Sequence, residues 1–534
     1  MNLYDAIFKQ SLSERTAILY EQRQISYAEL RDQTLAFARG LRALGVERGD
    51  RVALLLNDSP EFIAAFVSIC SYGTIAVPIN MGLRIEEQRA ILDNCTASVA
   101  IVEEEFCEAL LEAELELDLL KQVVVVRRRE SNVGFTPETQ SSQLTSSITK
   151  LFLNELLSEA QQQPTPEFPA PNQNQPAFIF YTSGSTGEPK GAVHRQSDIF
   201  YTNETFCREV LGLREGDRLF SSSRLPFAYG LGNAFSFPLL NGCTTILCRE
   251  KPVPEVIAKV FADYKPTIFF GVPVVYRLLL DEAKKDSGSA KLDCSSLRLC
   301  ISAGEALPAQ LGEDWEKTFG IPVLDGIGST EMLHMWMSNH QGDVVYGSSG
   351  KLLQGYEARL LDPEGNQTPP GAEGNLWVKG RSAAIEYWQR PETTAYTFVD
   401  GWVRTGDLYR QDGNGYWFHM GRSDDCFKSS GQWVSPVEVE GVLLRHRGVS
   451  RVAVVEDFDD DRLPCACAFV VRSKSVDSGG LELGLRELAR AALPRFKQPR
   501  RYLFVEELPY TATGKVQRFK LRQQLRAPAT KTAR

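Results

Sequence analysis

The chain has 534 residues, of which 43% are apolar and 24% charged, and its formal net charge is −9. This composition excludes a disordered chain, the length predicts two or more domains, and the acidic balance argues against a nucleic-acid-binding protein. The charge is uneven: the net charge is +7 from Asp425 onward and −16 before it. A basic small domain beside an acidic large one fits closure over phosphates, although a solvated basic face would give the same asymmetry.

The first 130 residues predict a layered α/β domain. A helical pattern from Tyr27 to Leu44 is followed by the apolar run Arg51–Leu56, which is the rhythm of a βαβ fold. The uncharged stretch Phe62–Met81 predicts a buried helix, a glycine turn and a strand rather than a membrane span. The N-terminus lacks the pattern of a signal peptide. Eleven scattered cysteines are typical of a reducing compartment, so a cytoplasmic location is expected.

Further along the chain the composition changes three times. Residues 131–176 are rich in Ser, Thr, Gln, Asn and Pro and predict a loop region with one helical island at Ile148–Ala160. Residues 177–345 return to α/β alternation, and residues 346–423 predict short strands joined by turns, as in a small β-subdomain. The segment after Asp424 is a compact α/β unit of about 110 residues, a normal size for a small domain.

The most informative motif follows a predicted buried strand, Ala177–Tyr181. It is dense in glycine and hydroxyl side chains and contains a lysine: Thr182, Ser183, Gly184, Ser185, Thr186, Gly187 and Lys190. Glycines let backbone N–H groups turn inward, the hydroxyls add donors, and the lysine adds a positive charge. The motif therefore predicts a polyphosphate cradle rather than an ordinary polar turn. It is not a Walker A loop, because G-x-x-x-x-G-K-[ST] occurs nowhere in the chain.

The segment Tyr181–Gly191 resembles the signature loop of the adenylate-forming superfamily, which includes acyl- and aryl-CoA ligases, adenylation domains and luciferases. Further blocks resemble that superfamily in the same order: Ser302–Glu305, Asp325–Glu331, Thr405–Asp407, Gly421–Asp425 and Leu508–Lys515. The resemblance covers nearly the whole chain. It implies an α/β fold with a large N-terminal layered domain that includes a small β-subdomain, residues 1–423, and a small mobile α/β C-terminal domain, residues 424–534.

The resemblance also implies a reaction in two halves, with ATP, Mg²⁺ and coenzyme A as cofactors. A carboxylate attacks the α-phosphorus of ATP to give an acyl-adenylate and pyrophosphate, and a thiol then displaces AMP. Lys515 is implied as the lysine that bridges the carboxylate and the α-phosphate, where fixed cations supply most of the catalysis. Thr330 is implied as a donor to the α-phosphate and Glu331 as the magnesium carboxylate. Lys520 is more typical of a solvated helix lysine.

Other nucleotide contacts are implied by the same blocks. Asp407 resembles the aspartate that accepts from both ribose hydroxyls, although an Asx turn would explain it too. Asp325 and the Ala303-Gly304-Glu305 backbone are expected to border the adenine, and Arg422 to lie near the ribose and phosphates. The remaining residues expected to bind a nucleotide or coenzyme A are Gly326, Ile327, Gly328 and Gly431.

Asp424 resembles the hinge between the two domains. A change of φ and ψ at one or two residues can swing a small domain. Such a swing would withdraw Lys515 after adenylation and present the Gly431 region to the pantetheine arm of coenzyme A.

The pocket for the acid is predicted from two segments that resemble the benzoate-CoA ligase branch, Phe227–Asn233 and Gly326–His334. An aromatic residue beside small residues makes a flat slot for a ring, and the first segment has no acidic residue to pair with the ammonium of an amino acid. His334 is either a hydrogen-bonding partner of the substrate carboxylate or a packing residue. The predicted pocket residues are Ala228, Tyr229, Gly230, Ile327, Gly328 and His334.

The sequence therefore predicts an acid–thiol ligase that converts benzoate or a substituted benzoate, such as anthranilate or a hydroxybenzoate, into its CoA thioester. Transfer to a carrier-protein thiol stays open as an alternative, as does, more remotely, a non-catalytic nucleotide-binding descendant. A P-loop ATP hydrolase is disfavoured because the Walker A motif is absent.

Overall fold

The computed structural model describes residues 1–8, 12–112, 119–127, 148–172, 174–183, 189–284, 292–429, 432–459, 462–473, 480–510 and 516–526. Two large sheets, a small antiparallel sheet and a C-terminal three-stranded sheet organise these residues. The described residues contain no helix long and apolar enough to cross a bilayer.

The first large sheet has seven strands and ends at the edge where the polyphosphate motif begins. Its strands are parallel except for the last pair, which is an antiparallel hairpin. In spatial order they are Thr149–Phe152, Gln122–Val126, Val99–Glu103, Arg51–Leu55, Ile75–Pro78, Phe178–Ser183 and Pro189–His194.

The second large sheet has nine strands, with a parallel centre and antiparallel edges. In spatial order they are Lys351–Leu352, Met335–Ser338, Val323–Gly328, Leu299–Ser302, Ile268–Gly271, Arg218–Ser221, Thr244–Ile246, Thr16–Tyr20 and Arg23–Ser26. Parallel strands need both faces covered, so helices pack on both sheets.

The helix Pro60–Tyr72 shows how the two sheets are joined. Ser59 caps its start by accepting from the Phe62 N–H at 3.2 Å, and Gly73 ends it at φ 91°. Phe66 on this helix contacts Phe178 of the seven-stranded sheet and Phe235, with ring centroids 5.5 and 5.4 Å apart. A single core cluster contains buried residues from both sheets and from this helix. The helix, its end at Gly73 and the strand Ile75–Pro78 confirm the buried helix, glycine turn and strand predicted for the stretch Phe62–Met81.

The other helices of the large domain are mostly short. The α-helices are Leu3–Phe8, Tyr27–Ala43, Ile85–Cys95, Glu104–Glu112, Leu153–Glu159, Gln196–Thr202, Ala228–Leu231, Phe237–Leu240, Pro254–Tyr264, Pro273–Ala283 and Ala309–Phe319. Ala160–Gln162 and Thr330–Met332 are 3₁₀ turns, and Asn203–Leu211 and Gly232–Ser236 are π-helical. π-Helical turns often occur at functional sites.

The small β-subdomain follows as predicted, with strands Glu357–Leu361, Glu373–Lys379, Trp402–Gln411, Phe398–Val399 and Trp417–Arg422 and the helix Pro391–Thr397. Two details differ from the prediction. The expected helical island Ile148–Ala160 begins instead as the edge strand Thr149–Phe152. This strand pairs with Gln122–Val126 and completes the seven-stranded sheet, and Phe152 packs in the core beneath it. The strand Lys351–Leu352 belongs to the nine-stranded sheet.

The C-terminal segment has its own core. A ribbon of Phe427–Ser429 and Gln432–Val434 precedes a sheet of Val449–Phe458, Pro464–Arg472 and Arg501–Val505. The α-helices here are Pro436–Leu443, Leu481–Ala492 and Arg518–Arg526, with a 3₁₀ turn at Arg495–Lys497. This is the small α/β unit that the sequence predicts.

Candidate active site

The polyphosphate motif lies in the antiparallel hairpin at the edge of the seven-stranded sheet. Thr182 and Ser183 end one strand, and Lys190 pairs with Thr182 on the returning strand. The Lys190 ammonium is 5.9 Å from the centroid of the Tyr387 ring. The other predicted residues of the motif, Gly184, Ser185, Thr186 and Gly187, lie outside the described residues.

The turn that carries Thr330 and Glu331 is fixed by hydrogen bonds from neighbouring segments. The Thr330 carbonyl accepts from His194 Nε2 at 2.7 Å, and the Glu331 carbonyl accepts from the Ala384 N–H at 2.7 Å. The Tyr387 hydroxyl donates to Glu331 Oε1 at 2.7 Å. These contacts orient a carboxylate and a hydroxyl, and a carboxylate oxygen is the kind of ligand that Mg²⁺ prefers.

The predicted adenine segment follows the strand Leu299–Ser302. Ala303 is buried, Glu305 is exposed, and Gly304 has φ 91°, a conformation that glycine tolerates. Asp325 Oδ2 accepts from the Leu307 N–H at 3.2 Å, whereas its Oδ1 is buried with no hydrogen-bond partner among the described residues. Burial raises the pKa of Asp325 to about 8, so at neutral pH its carboxyl is largely protonated and can donate as well as accept.

Gly326 and Gly328 have a packing role that the sequence did not predict. A Cβ at Gly326 would lie 2.4 Å from the Met337 carbonyl oxygen, and one at Gly328 would lie 2.7 Å from the carbonyl carbon and oxygen of His334. Both glycines therefore permit the close antiparallel pairing with the strand Met335–Ser338.

Asp407 and Arg422 face each other across two strands of the β-subdomain. Arg422 Nη1 donates to Asp407 Oδ1 at 3.3 Å and to the Thr405 carbonyl at 2.8 Å. His419 Nε2 lies 3.5 Å from the same carboxylate oxygen. Burial opposes the charge of Arg422, but Asp407 and Asp424 outweigh it and raise its pKa. An acceptor and a permanent cation thus lie together, which suits a ribose and its phosphate.

The residues of the predicted aromatic pocket form a packed cluster around His334. Its ring centroid lies 4.7 Å from Phe206, 4.7 Å from Phe237 and 5.6 Å from Tyr229. Ile327 packs partly buried in the same cluster as Tyr229. Ala228 and Gly230 are buried on the short helix that carries Tyr229, and a Cβ at Gly230 would lie 1.9 Å from a backbone oxygen. The structure thus brings Tyr229 and His334 into one aromatic cluster.

His334 is uncharged at neutral pH. Burial lowers its pKa to about 3. Nε2 lies 3.2 Å from Asn233 Oδ1, and neither His334 Nδ1 nor Asn233 Nδ2 has a partner in the described part of the chain. The preceding residue, Leu333, has φ 65°, a strained conformation for a bulky side chain. A buried polar pair with unfilled hydrogen-bonding capacity can bind a polar group on a ring-shaped ligand.

Asp424 lies between two residues whose side chains bond to different parts of the fold. On its N-terminal side, Ser423 donates through N and Oγ to the Gly406 carbonyl at 2.9 and 3.0 Å, within the β-subdomain. On its other side, Asp425 pairs with Arg522 at 3.0 Å and Arg518 at 3.6 Å, on the last C-terminal helix. Asp424 is the exposed residue between these two anchors.

Two predicted residues, Lys515 and Gly431, lie outside the described residues. On the C-terminal side of the Lys515 segment, Arg518 donates to both carboxylate oxygens of Glu440 at 2.8 Å.

Sequence reasoning missed His194, Tyr387, His419 and Asn233, which contact Thr330, Glu331, Asp407 and His334 respectively. Asn233 is the last residue of the predicted pocket segment Phe227–Asn233, but no contact with His334 was predicted for it. The position of His194 after the lysine of the polyphosphate motif was an available signal, whereas nothing local marks Tyr387.

The large domain has two sheets and a hydroxyl-rich hairpin, and a small α/β domain follows it. This is a two-domain architecture suited to binding a nucleotide. The chain belongs to the AMP-binding enzyme family: its profile matches residues 7–388, and that of the AMP-binding enzyme C-terminal domain matches residues 438–515.

Three relatives cover nearly the whole chain. A benzoate–CoA ligase of Thauera aromatica is 38% identical over 95% of this chain and 92% of the relative. The crystal structure of the anthranilate CoA ligase AuaEII in complex with anthranoyl-AMP matches with a TM-score of 0.89 at 36% identity, over 98% of this chain and 97% of that chain. A benzoate CoA ligase from Burkholderia xenovorans LB400 matches with a TM-score of 0.84 at 35% identity, over 98% and 100%.

Proposed function

We propose that this protein activates benzoate or a substituted benzoate with ATP and transfers the aroyl group to coenzyme A, releasing AMP and pyrophosphate. The observation that carries the proposal is the aromatic cluster of Tyr229 and His334, in which His334 lies three residues along the chain from Glu331. Relatives that cover nearly the whole chain and are named for benzoate and anthranilate support the same substrate class.

In the adenylation half, the residues divide between the nucleotide and the acid. Asp407 accepts from the ribose hydroxyls, Asp325 borders the adenine, and the Thr330 hydroxyl donates to the α-phosphate. Lys515 supplies the cation where charge grows during attack. The Glu331 carboxylate fits Mg²⁺, which would neutralise phosphate charge when bound, because a single hard oxygen donor plus phosphate oxygens is its usual environment.

In the proposed acid site, the flat face of the Tyr229 ring lies beside the small residues Ala228 and Gly230. This combination suits the aromatic ring of the acid. His334 is uncharged, because burial lowers its pKa. It therefore orients the substrate by hydrogen bonding and not by charge pairing, and its contact with Asn233 fixes the plane of its ring. A fixed ring can orient the substrate carboxylate before it attacks the α-phosphorus.

In the thioester-forming half, the C-terminal domain turns about Asp424 and brings the Gly431 region to the adenylate. A groove of about 360 Å³ lies beside Ser429, which is two residues before Gly431 in the sequence. It is lined by Ser429, Cys465, Arg495, Phe496, Gln498 and Arg500. Two exposed guanidinium groups suit the phosphates of coenzyme A, which favours coenzyme A over a carrier protein as the thiol donor.

The reaction is tested by acid-dependent ATP–pyrophosphate exchange, followed by AMP release with coenzyme A present. Benzoate, 2-aminobenzoate, hydroxybenzoates, cinnamates and fatty acids form the panel. We expect exchange and AMP release with benzoate-like acids. ADP as the main product, or a higher kcat/KM with octanoate, would contradict the proposal.

The acceptor is tested with Arg495→Ala/Arg500→Ala. The double variant should raise the KM for coenzyme A and leave pyrophosphate exchange unchanged. Arg490→Ala, on the exposed face of a neighbouring helix, is the matched control. Wild-type exchange without any thioester formation from coenzyme A would point to a carrier-protein acceptor instead.

A further inference from the structure

His194 ends the returning strand of the hairpin, four residues after Lys190. Its side chain is fully buried and its ring is stacked on Phe178, with centroids 5.4 Å apart and an interplanar angle of 16°. Neither the acid nor the nucleotide contacts assigned above use this residue. A fully buried imidazole that reaches the main chain of the Thr330–Glu331 turn needs an explanation.

Two contacts hold the His194 ring in place. Nε2 lies 2.7 Å from the Thr330 carbonyl oxygen, which can only accept, so Nε2 donates this bond. Nδ1 lies 3.0 Å from Asp198 Oδ2. That oxygen also accepts from the Arg195 N–H at 3.0 Å, and Asp198 Oδ1 accepts from Arg195 Nε at 2.9 Å. The Asp198 carboxyl is thus itself fixed by Arg195, and it fixes the plane of the His194 ring.

We propose that His194 is a positioning residue for adenylation. Its ring, held in place by the buried Asp198 side chain, donates to the Thr330 carbonyl and thereby positions the Thr330 hydroxyl and the Glu331 carboxylate. This inference rests on the proposed function, because it assumes that Thr330 and Glu331 act in adenylation.

The turn requires such an anchor. It is a three-residue 3₁₀ segment followed directly by Leu333 at φ 65°, and a strained conformation persists only when its surroundings fix it. The other two anchors, Ala384 and Tyr387, belong to a segment that hydrogen-bonds to the same strand, through Ile385 N–H to Val193 O at 2.8 Å and Trp388 N–H to Gly191 O at 2.7 Å. The strand that carries Lys190 therefore fixes the turn from both sides, and His194 is its direct link.

Two substitutions of His194 separate its two hydrogen bonds. His194→Asn keeps a donor near Nδ1 and loses the bond to Thr330, whereas His194→Gln keeps a donor near Nε2. His194→Asn should lower the kcat of pyrophosphate exchange roughly 10- to 100-fold, the range expected when a buried carbonyl loses its hydrogen-bond donor, and should raise the Mg²⁺ concentration for half-maximal rate. His194→Gln should lose less. His340→Gln is the matched control and should behave as wild type, because His340 is a half-buried histidine whose Nε2 lies 3.3 Å from Glu209, outside the candidate site.

A split between half-reactions distinguishes positioning from general damage to the fold. In His194→Asn, CoA transfer from a pre-formed aryl-adenylate should stay within about threefold of wild type, because Thr330 and Glu331 act before that step. Equal slowing of both half-reactions, or equal losses in His194→Asn and His194→Gln, would overturn the inference. Failure of the wild-type protein to form any acyl-adenylate would instead refute the proposed function.

If the His194 variants do not fold, Asp198→Asn is the second test, because it weakens the contact at Nδ1 and leaves the ring in place. It should slow adenylation and leave CoA transfer from a pre-formed aryl-adenylate within about threefold of wild type. Equal slowing of both half-reactions in Asp198→Asn would overturn the inference.

Discussion

Gly232 offers a sharp test of the aromatic pocket. A Cβ at this position would lie 2.5 Å from His334 Cδ2 and 2.8 Å from its Nε2. Ordinary van der Waals contact begins near 3.4 Å, so in Gly232→Ala the imidazole must move by about 0.9 Å. The ring has little freedom to do so, because Phe206 and Phe237 each lie 4.7 Å from it, centroid to centroid.

The expected loss is specific for the acid. A displacement of about 1 Å in a positioning group can cost on the order of 10²-fold in rate, and overpacking a core typically costs about 1–3 kcal/mol of stability. We therefore expect Gly232→Ala to lower kcat/KM for benzoate roughly 10- to 100-fold. The KM for ATP should change less than about twofold, because the nucleotide contacts lie on other elements.

The assay is initial-rate pyrophosphate exchange with acid and ATP varied separately, together with thermal unfolding. Gly441→Ala is the matched control, because its Cβ would meet open space on the helix Pro436–Leu443, where alanine is the better helix former. Gly232→Ala with an unchanged kcat/KM for benzoate, or with equal losses for acid and ATP, would show that His334 does not contact the acid.

Three further predictions concern the hinge, the lysine and pH. Lys515→Ala should slow adenylation roughly 10²–10³-fold and spare CoA transfer from a pre-formed adenylate in single-turnover assays; equal slowing of both would contradict domain alternation. Asp424→Pro restricts φ and should impair one half-reaction while sparing the other, so impairment of neither would remove the hinge from Asp424. His334 has a pKa of about 3 in the folded protein, because burial lowers it, and of about 6.5 in the unfolded chain. Between these values the unfolded chain binds more protons, so the free energy of unfolding falls as pH drops through this window. His334→Asn should therefore show a flatter decline of Tm between pH 7 and 5, and an equally steep one would contradict the buried neutral imidazole.

Sequence motifs predicted the elements that glycine, proline and hydroxyl patterns mark locally. The helix beginning at Tyr27 and the strand beginning at Arg51 appear as expected, because their apolar periodicity is strong. The strand Thr149–Phe152 was mistaken for the start of a helix, because its four residues gain strand structure only by pairing with Gln122–Val126. Such tertiary pairing overrides local preference.

The site was predictable where residues act within one motif and not where two distant segments meet. Asp407 and Arg422 were named from their blocks, but their direct pairing depends on the register of two strands. Tyr387 contacts Glu331 from 56 residues away, and no local pattern records such a contact. The packing roles of Gly326 and Gly328 also depend on a neighbouring strand.

The residues of the predicted acid pocket differ in whether a larger side chain can replace them. Gly230 and Gly328 face backbone atoms at 1.9 and 2.7 Å from where a Cβ would stand, so no side chain fits there without moving the main chain. Ala228, Tyr229 and Ile327 carry no such backbone constraint. New ring specificities in this scaffold are therefore expected to arise by substitution at these three positions, within the volume that the surrounding core allows.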